Sequence, residues 1–143
     1  MPRPTDPAGA GAPAFACIGG PVVRAGVVQP ISQATLHNGM VFVSGQVPMV
    51  AGRPAADDIA GQTHCVIDML AAILAQAGAG LEHVLKVNVW LTHADDYAAF
   101  HAAYGERFAQ APLPARSTVI SGLIAPVRIE MEAIAVLPVG SGA

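Results

Sequence analysis

The chain has 143 residues, of which 53% are hydrophobic and 12% are charged, and its formal net charge is −3. This length suits one domain that buries a core without a metal or a disulfide to hold it. An acidic chain lacks the basic field that draws proteins onto nucleic acid, and no run approaches the roughly 20 apolar residues of a membrane span. We therefore expect one domain that binds neither nucleic acid nor membrane.

The low charge also bears on assembly and location. An ordinary soluble domain carries roughly a quarter charged residues, so this chain has little polar surface with which to coat a monomer. We expect part of its surface to be buried against copies of itself. Cys17 and Cys65 form no C-x-x-C or metal-spaced pattern. A reduced, cytoplasmic setting is therefore predicted.

The N-terminal segment is punctuated by proline. Prolines stand at positions 2, 4, 7, 13 and 21 with glycine and alanine between them. Such a segment propagates neither a helix nor a ladder. We predict a flexible, loosely draped arm over residues 1–21 and a single domain over residues 22–143.

A β-hairpin is predicted next. Val22-Val23 and Val27-Val28 are β-branched pairs, and Asn38-Gly39 is a strong two-residue hairpin signal. Residues 40–44 then form the return strand, which Gly45 ends.

The middle of the chain predicts a helix. From Ile59 to about Ala77, apolar residues recur at three- and four-residue steps. Asp57 or Asp58 caps its start, because a carboxylate accepts hydrogen bonds from the first turn. Gly78 and Gly80 stop it.

The C-terminal half predicts a strand, a helix and two further strands. Leu85 to Leu91 alternates apolar and polar residues with period two. A second helix starts at Thr92 or Asp95 and runs to about Phe108, with one aromatic stripe made of Tyr97, Phe100, Tyr104 and Phe108. Residues 115–121 and 127–136 are the last strands. The order β-β-α-β-α-β-β predicts an α+β fold, a mixed sheet with helices on one face.

Two residues in the last strands are candidates for chemistry. Arg116 offers a planar fork that fits a carboxylate with two hydrogen bonds. Glu130, if its strand face lines a groove between subunits, holds a proton near neutrality because burial raises the pKa of a carboxylic acid. The alternatives are a surface arginine paired with an acidic neighbour and a solvated glutamate. Residue type alone leaves both open.

The sequence lacks the motifs of several enzyme classes. The histidines form no H-x-x-x-H or H-x-E spacing, so no metal site is predicted. The chain contains no G-x-S-x-G, no G-x-x-x-x-G-K and no G-x-G-x-x-G followed by an acidic residue. These absences argue against serine hydrolases, P-loop proteins and dinucleotide-binding enzymes.

Longer motifs resemble a known family. They are P-I-S-Q-A at 30–34, G-M-V-F-V-S-G-Q-V-P at 39–48, V-L-K-V-N-V-W-L-T at 84–92, P-A-R-S-T-V at 114–119 and I-E-M-E-A-I-A-V at 129–136. The chain from about Gly26 to Val136 resembles the Rid family, the reactive intermediate deaminases. The resemblance implies a chorismate-mutase-like α+β fold and a homotrimer with clefts between subunits. It also implies no metal or organic cofactor, and hydrolysis of enamines and imines such as 2-aminoacrylate to 2-keto acids and ammonia.

The resemblance also implies roles for single residues. Arg116 matches the arginine that holds the substrate carboxylate, and Glu130 matches the glutamate that positions or protonates the attacking water. Thr118 falls where many members have a cysteine whose backbone contacts the imine nitrogen. Gly39 matches a glycine that shapes the cleft floor.

Two positions depart from the family pattern. Ile31 replaces a tyrosine whose hydroxyl reaches the substrate, and His101 replaces an asparagine on the second helix. The loss of one donor in a cleft typically costs ~1 to 3 kcal/mol in the step it serves. Ile31 is also expected to favour a bulkier or more hydrophobic imine.

Three functions remain open from the sequence. The first is the enamine or imine deaminase, and the second is a regulatory module that binds a small carboxylate without turning it over. The third is the ribonuclease or translation-inhibitor activity once attached to such proteins, which the acidic charge makes the weakest.

Overall fold

The computed structural model describes residues 11–140. Two helices pack on a six-stranded sheet, with two small hairpins beside it. The helices are α1 (Ile59–Gln76) and α2 (Tyr97–Arg107). The strands are β1 (Ala16–Ile18), β2 (Val23–Arg24), β3 (Val27–Val28), β4 (Ala34–His37), β5 (Met40–Gln46), β6 (Met49–Val50), β7 (Arg53–Pro54), β8 (Val84–Leu91), β9 (Ala115–Ile120) and β10 (Ile129–Val136).

The main sheet is mixed. Its strand order is β1-β4-β5-β10-β8-β9, and all neighbours are antiparallel except β8 and β9, which are parallel. α1 packs against β5 and β10 and also against α2. The predicted α+β class with a mixed sheet and two helices is therefore confirmed.

The Asn38-Gly39 turn forms where the sequence predicts it. Asn38 and Gly39 have φ angles of 49° and 75°, as a two-residue hairpin turn requires, and they join β4 to β5. The valine pairs upstream form a separate hairpin, β2–β3, which does not join the main sheet.

The N-terminal prediction is wrong in part. Ala16–Ile18, inside the segment predicted as a draped arm, is the edge strand β1 and pairs with β4. The stretch between Pro13 and Pro21 contains no proline, so its backbone N–H groups are free to join a ladder. The prediction for residues 1–10 lies outside the described part of the chain.

α1 begins and ends as its sequence indicates. Asp58 caps it by accepting a hydrogen bond from the N–H of Gly61 at 3.1 Å, and Gly78 follows its end with a φ of 84°. By length and mean hydropathy (1.2), α1 also meets the criteria for a membrane-crossing helix. Its apolar face, however, is the centre of the core, where Val66, Ile67 and Leu70 are fully buried.

β8 differs from its predicted pattern at one position. The core side of the strand is Val84, Val87, Val89 and Leu91, whereas Leu85 is 46% exposed. Pairing with β10 shifts by one residue between Lys86 and Val84, which leaves Leu85 as the extra residue of a bulge. Strict alternation therefore holds only from Lys86 onward.

Candidate functional site

The first group of predicted site residues surrounds Arg116. β9 places Arg116 opposite the fully buried Val87 of β8, so its side chain lies on the helix-covered face of the sheet. There the guanidinium carbon lies 4.6 Å from the ring centre of Tyr104 and 5.2 Å from that of Phe100. Two rings of the predicted aromatic stripe thus form a platform beneath the cation.

Two side chains of α2 fix the end of that guanidinium. Arg116 Nη2 donates to the hydroxyl of Tyr97 at 3.1 Å and lies 3.1 Å from Nδ1 of His101. The rings of Tyr97 and His101 are stacked, with centres 5.4 Å apart. His101 therefore belongs to the Arg116 group, although the sequence places it off the aromatic stripe.

Arg116 makes no salt bridge with any carboxylate among residues 11–140. Its ordered neighbours are rings, a hydroxyl and an imidazole nitrogen, which leave its positive charge uncompensated. A guanidinium offers a planar fork of donors that fits a carboxylate, and within the described residues that fork meets none.

Thr118 lies two residues beyond Arg116 and opposite the buried Val89, on the same face of β9. Its Oγ1 atom is buried and has no hydrogen-bond partner among the described residues. Because β9 is an edge strand, one side of its backbone is unpaired within the protomer.

The second group surrounds Glu130. Its neighbours along β10, Ile129 and Met131, are fully buried beneath the helices, so Glu130 points to the other face of the sheet. It lines a cavity of 660 Å³ at the end of the sheet where β5 ends and β10 begins. Ile31, another candidate residue from the sequence, lines the same cavity.

The surroundings of Glu130 shift the pKa of its carboxylic acid. Burial raises the pKa of its carboxylic acid and the nearby Glu132 raises it further, while Arg24 opposes them. The net effect of these three influences is that the pKa of Glu130 is raised. Among the described residues, Arg24 is the cation whose charge lowers the pKa of Glu130.

Gly39 is the predicted site residue that the structure places elsewhere. It occupies the β4–β5 turn, where its carbonyl accepts from the N–H of Leu137, seven residues beyond Glu130. The glycine that contacts Glu130 is Gly45, where an added Cβ would lie 3.2 Å from Oε1 of that glutamate. Gly39 does not line the cavity of the single chain, and its positive φ is what the turn requires; its role in a cleft between subunits stays a prediction.

Sequence reasoning missed four residues of these groups. Gly45, which the sequence predicts as the end of a strand, lies inside β5, which continues to Gln46, and it approaches Glu130. Tyr97 and Tyr104 were assigned to the aromatic stripe alone. Tyr97 and His101 are four residues apart, a spacing that places two side chains on the same face of a helix. This spacing is the sequence signal that links the two residues. No local sequence pattern indicates Arg24 as a site residue, because only the tertiary fold places it at the cavity.

No cluster of histidine, cysteine and carboxylate side chains in residues 11–140 has the geometry of a metal site. The groups that the structure places at the candidate site are a guanidinium, a carboxylic acid of raised pKa and a cavity wall.

Comparison with known proteins gives the family. The family described as Endoribonuclease L-PSP matches residues 23–137. A mitochondrial protein of Schizosaccharomyces pombe, mmf2, is 40% identical over 111 residues, which cover 74% of this chain and 86% of that protein.

Two solved structures are also similar. YyfA of Yersinia pestis, described as a member of the Rid protein family, is 30% identical with a TM-score of 0.74, over 87% of this chain and 100% of that one. Escherichia coli TdcF, solved with bound serine, is 31% identical with a TM-score of 0.70, over 78% and 91% of the two chains. With a family match that spans most of its length and relatives at this level of identity, the chain belongs to the Endoribonuclease L-PSP family, whose members include the Rid proteins.

Proposed function

We propose that this protein hydrolyses enamines and imines of 2-amino acids, such as 2-aminoacrylate, to 2-keto acids and ammonia. The observation that carries the proposal is the guanidinium of Arg116, which Tyr97 and His101 hold in place and which no described carboxylate neutralises. A substrate with a 2-carboxylate supplies the missing anion.

The chemistry needs few groups. The carbon of an imine is already electrophilic, so the protein must hold the carboxylate, protonate the nitrogen and deliver water. Water adds its oxygen to the imine carbon, and the nitrogen takes up a proton. The C–N bond then breaks, ammonia leaves and the carbonyl of the keto acid forms.

Glu130 is suited to moving these protons. Because burial raises the pKa of Glu130, its acid form persists closer to neutral pH than that of an exposed glutamate. It can give a proton to the imine nitrogen and then accept one from the attacking water. Gly45 lets the backbone of β5 lie close to that carboxyl group, since an added Cβ would be only 3.2 Å from Oε1.

The site is proposed to form between copies of the chain, in a homotrimer of the chorismate-mutase-like type. Arg116 and Glu130 lie on opposite faces of the protomer's sheet, so one copy would supply the clamp and another the acid. The edge strand β9 supports this assembly because Val119 and Ile120 expose about half of their surface there.

The proposal can be tested by measuring keto-acid release from enzymatically generated imines of small, branched and aromatic amino acids. We expect wild-type turnover that favours larger imines, because Ile31 removes a hydroxyl from the cavity wall. Arg116→Ala should lose turnover, while Arg53→Ala, at an exposed arginine outside the cavity, should retain it. Turnover that survives Arg116→Ala would overturn the proposal.

A second candidate function is a binding or regulatory module for small carboxylates. The absence of the tyrosine hydroxyl at Ile31 favours it, and the TdcF structure holds serine. Comparison of wild type with Ile31→Tyr distinguishes the two. If only Ile31→Tyr turns imines over, the native cleft serves binding.

Two other expectations from the sequence concern a ribonuclease activity and the location of the protein in the cell. A ribonuclease activity finds little support, because the chain carries a net charge of −3 and two of its arginines are paired with Asp68 and Asp96. Cytoplasmic location stays a prediction, since mmf2 is mitochondrial.

A further inference from the structure

The small hairpin β2–β3 brings an arginine to the cavity of Glu130. Arg24 ends β2, and the turn that follows, Ala25-Gly26, has φ angles of 49° and 77°, which closes a two-residue hairpin. The N–H of Gln29 donates to the carbonyl of Val22 at 2.8 Å and fixes the base of the hairpin. The position of Arg24 is thus set by a tight turn.

Arg24 lines the same 660 Å³ cavity as Glu130 and Ile31. Ligand sites in proteins commonly span roughly 300 to 1,000 Å³, so this one has room for more than a three-carbon imine. Much of its wall is apolar, including Met69, Ile73 and Ile124. The cavity therefore suits a substrate with a chain of methylene groups.

The charge of Arg24 is not neutralised by a contact. Within residues 11–140 it makes no side-chain hydrogen bond and no salt bridge, whereas Arg107 and Arg128 are paired with carboxylates at 2.6 and 2.8 Å. Its field does reach Glu130, whose pKa it lowers in part. Arg24 is therefore the cation of the cavity that no described carboxylate contacts.

We propose that Arg24 binds a second anionic group of the ligand, so that the site prefers 2-imino acids whose side chain ends in a carboxylate. The apolar wall accommodates the methylene groups, and Arg24 receives the terminal carboxylate. That the ligand is an imine rests on the proposed function. The preference for a dicarboxylate can be measured by binding alone.

Binding of two keto acids of equal length tests the inference. 2-Oxoglutarate and 2-oxopentanoate each have five carbons and differ by the terminal carboxylate. We expect isothermal titration to show wild type binding the diacid about tenfold more tightly, as one charge-assisted hydrogen bond supports. Because Arg24 is exposed, the advantage should shrink as salt is added.

Variants assign the effect to Arg24. Arg24→Gln should bind the two acids equally, while Arg53→Gln should keep the wild-type preference, since Arg53 is an exposed arginine on the neighbouring β6–β7 hairpin that does not line the cavity. Equal affinities in wild type, or a diacid preference that persists in Arg24→Gln, would overturn the inference.

Turnover separates this inference from the proposed function. Imines generated from glutamate and norvaline are compared in the same three proteins. An Arg24-dependent diacid preference in binding without hydrolysis of any imine would refute the deaminase and leave Arg24 as a dicarboxylate-binding residue. Hydrolysis of both imines at equal rates in wild type and Arg24→Gln, with equal binding, would refute the role of Arg24 and leave the deaminase standing.

Discussion

Arg116 and Glu130 lie on opposite faces of one sheet. Arg116 of β9 lies directly opposite the buried Val87 of β8, on the face that the helices cover. Glu130 of β10 lies directly opposite Trp90 of β8, on the other face. Side chains directly opposite each other on neighbouring strands share a face, so no rotamer change within a protomer reverses this arrangement. A site that uses both groups must therefore combine two copies of the chain.

This geometry predicts complementation between inactive variants. Arg116→Ala and Glu130→Gln should each be inactive alone, because every site then lacks one group. When the two are unfolded and refolded together, random mixing in a head-to-tail ring returns both native groups to about a quarter of the sites. Keto-acid release should recover to that fraction of the wild-type rate.

The control mixes Arg116→Ala with the double variant Arg116→Ala/Glu130→Gln, where no site regains its arginine. That mixture should stay inactive. If the first mixture also stays inactive while size-exclusion chromatography shows hetero-oligomers, the two groups do not share a site.

The hydroxyl of Tyr97 is predicted to position Arg116 for its ligand. Tyr97→Phe removes the acceptor 3.1 Å from Nη2 and keeps the ring that stacks on His101. Loss of one hydrogen bond of about 1 kcal/mol should raise KM roughly fivefold and change kcat little. Steady-state kinetics at several imine concentrations measures both.

Tyr104→Phe is the matched control for that change. The Tyr104 hydroxyl is buried and has no partner among the described residues, so its removal should leave KM unchanged. It should also keep or raise the melting temperature, because a buried unpaired hydroxyl is costly. Equal KM effects of the two variants would contradict the positioning role of Tyr97.

The elements of the fold were largely predictable because their signals are local. The Asn38-Gly39 turn, the Asp58 cap and the periodicity of α1 each depend on residues close in sequence. β1 was missed because its three residues gain a partner only when the chain returns as β4. The Leu85 bulge likewise depends on pairing with β10 and has no signature within β8.

The sequence indicates some residues of the candidate groups, such as Arg116 and Glu130, but not how the fold arranges them. Alternation along a strand assigns Glu130 to one face of β10, yet it does not say which face of β9 carries Arg116. That assignment depends on the parallel register of β9 with β8 and on the aromatic platform of α2. Arg24 reaches Glu130 across more than a hundred residues of sequence, so no pattern revealed it.

The raised pKa of Glu130 predicts how stability depends on pH. Its native-state pKa lies above that of the unfolded chain, so its contribution to stability is fully present below the unfolded pKa, about 4.3. That contribution is lost as pH rises through the native pKa. Glu130→Gln, which stays neutral, should therefore melt at a higher temperature than wild type near pH 8.

Scanning fluorimetry from pH 4 to 8 measures this effect. The difference in melting temperature between Glu130→Gln and wild type should grow as pH rises from about 4 and then level off. Asp57→Asn, which removes an exposed carboxylate outside the cavity, is the matched control. A difference that shrinks with rising pH would contradict the raised pKa.

A bidentate ion pair anchors the segment that leads into Glu130. Arg128 donates from Nε and Nη2 to the two carboxylate oxygens of Asp96 at 2.8 and 2.9 Å. Its backbone N–H donates to Gln62 of α1, and its carbonyl accepts from the N–H of Thr92. The start of β10 is thus tied to both helices and to the end of β8.

Asp96→Ala should therefore lower the free energy of unfolding by about 2 kcal/mol, less than for a fully buried pair because the Arg128 side chain is 41% exposed. Urea titration followed by tryptophan fluorescence measures the change.

The comparison is Asp68→Ala, which breaks the Arg107–Asp68 bridge between the helices. Asp68 is 69% exposed, so solvent screens that pair and its loss should cost less than about 1 kcal/mol. Equal losses would mean that burial of Asp96 does not strengthen its ion pair.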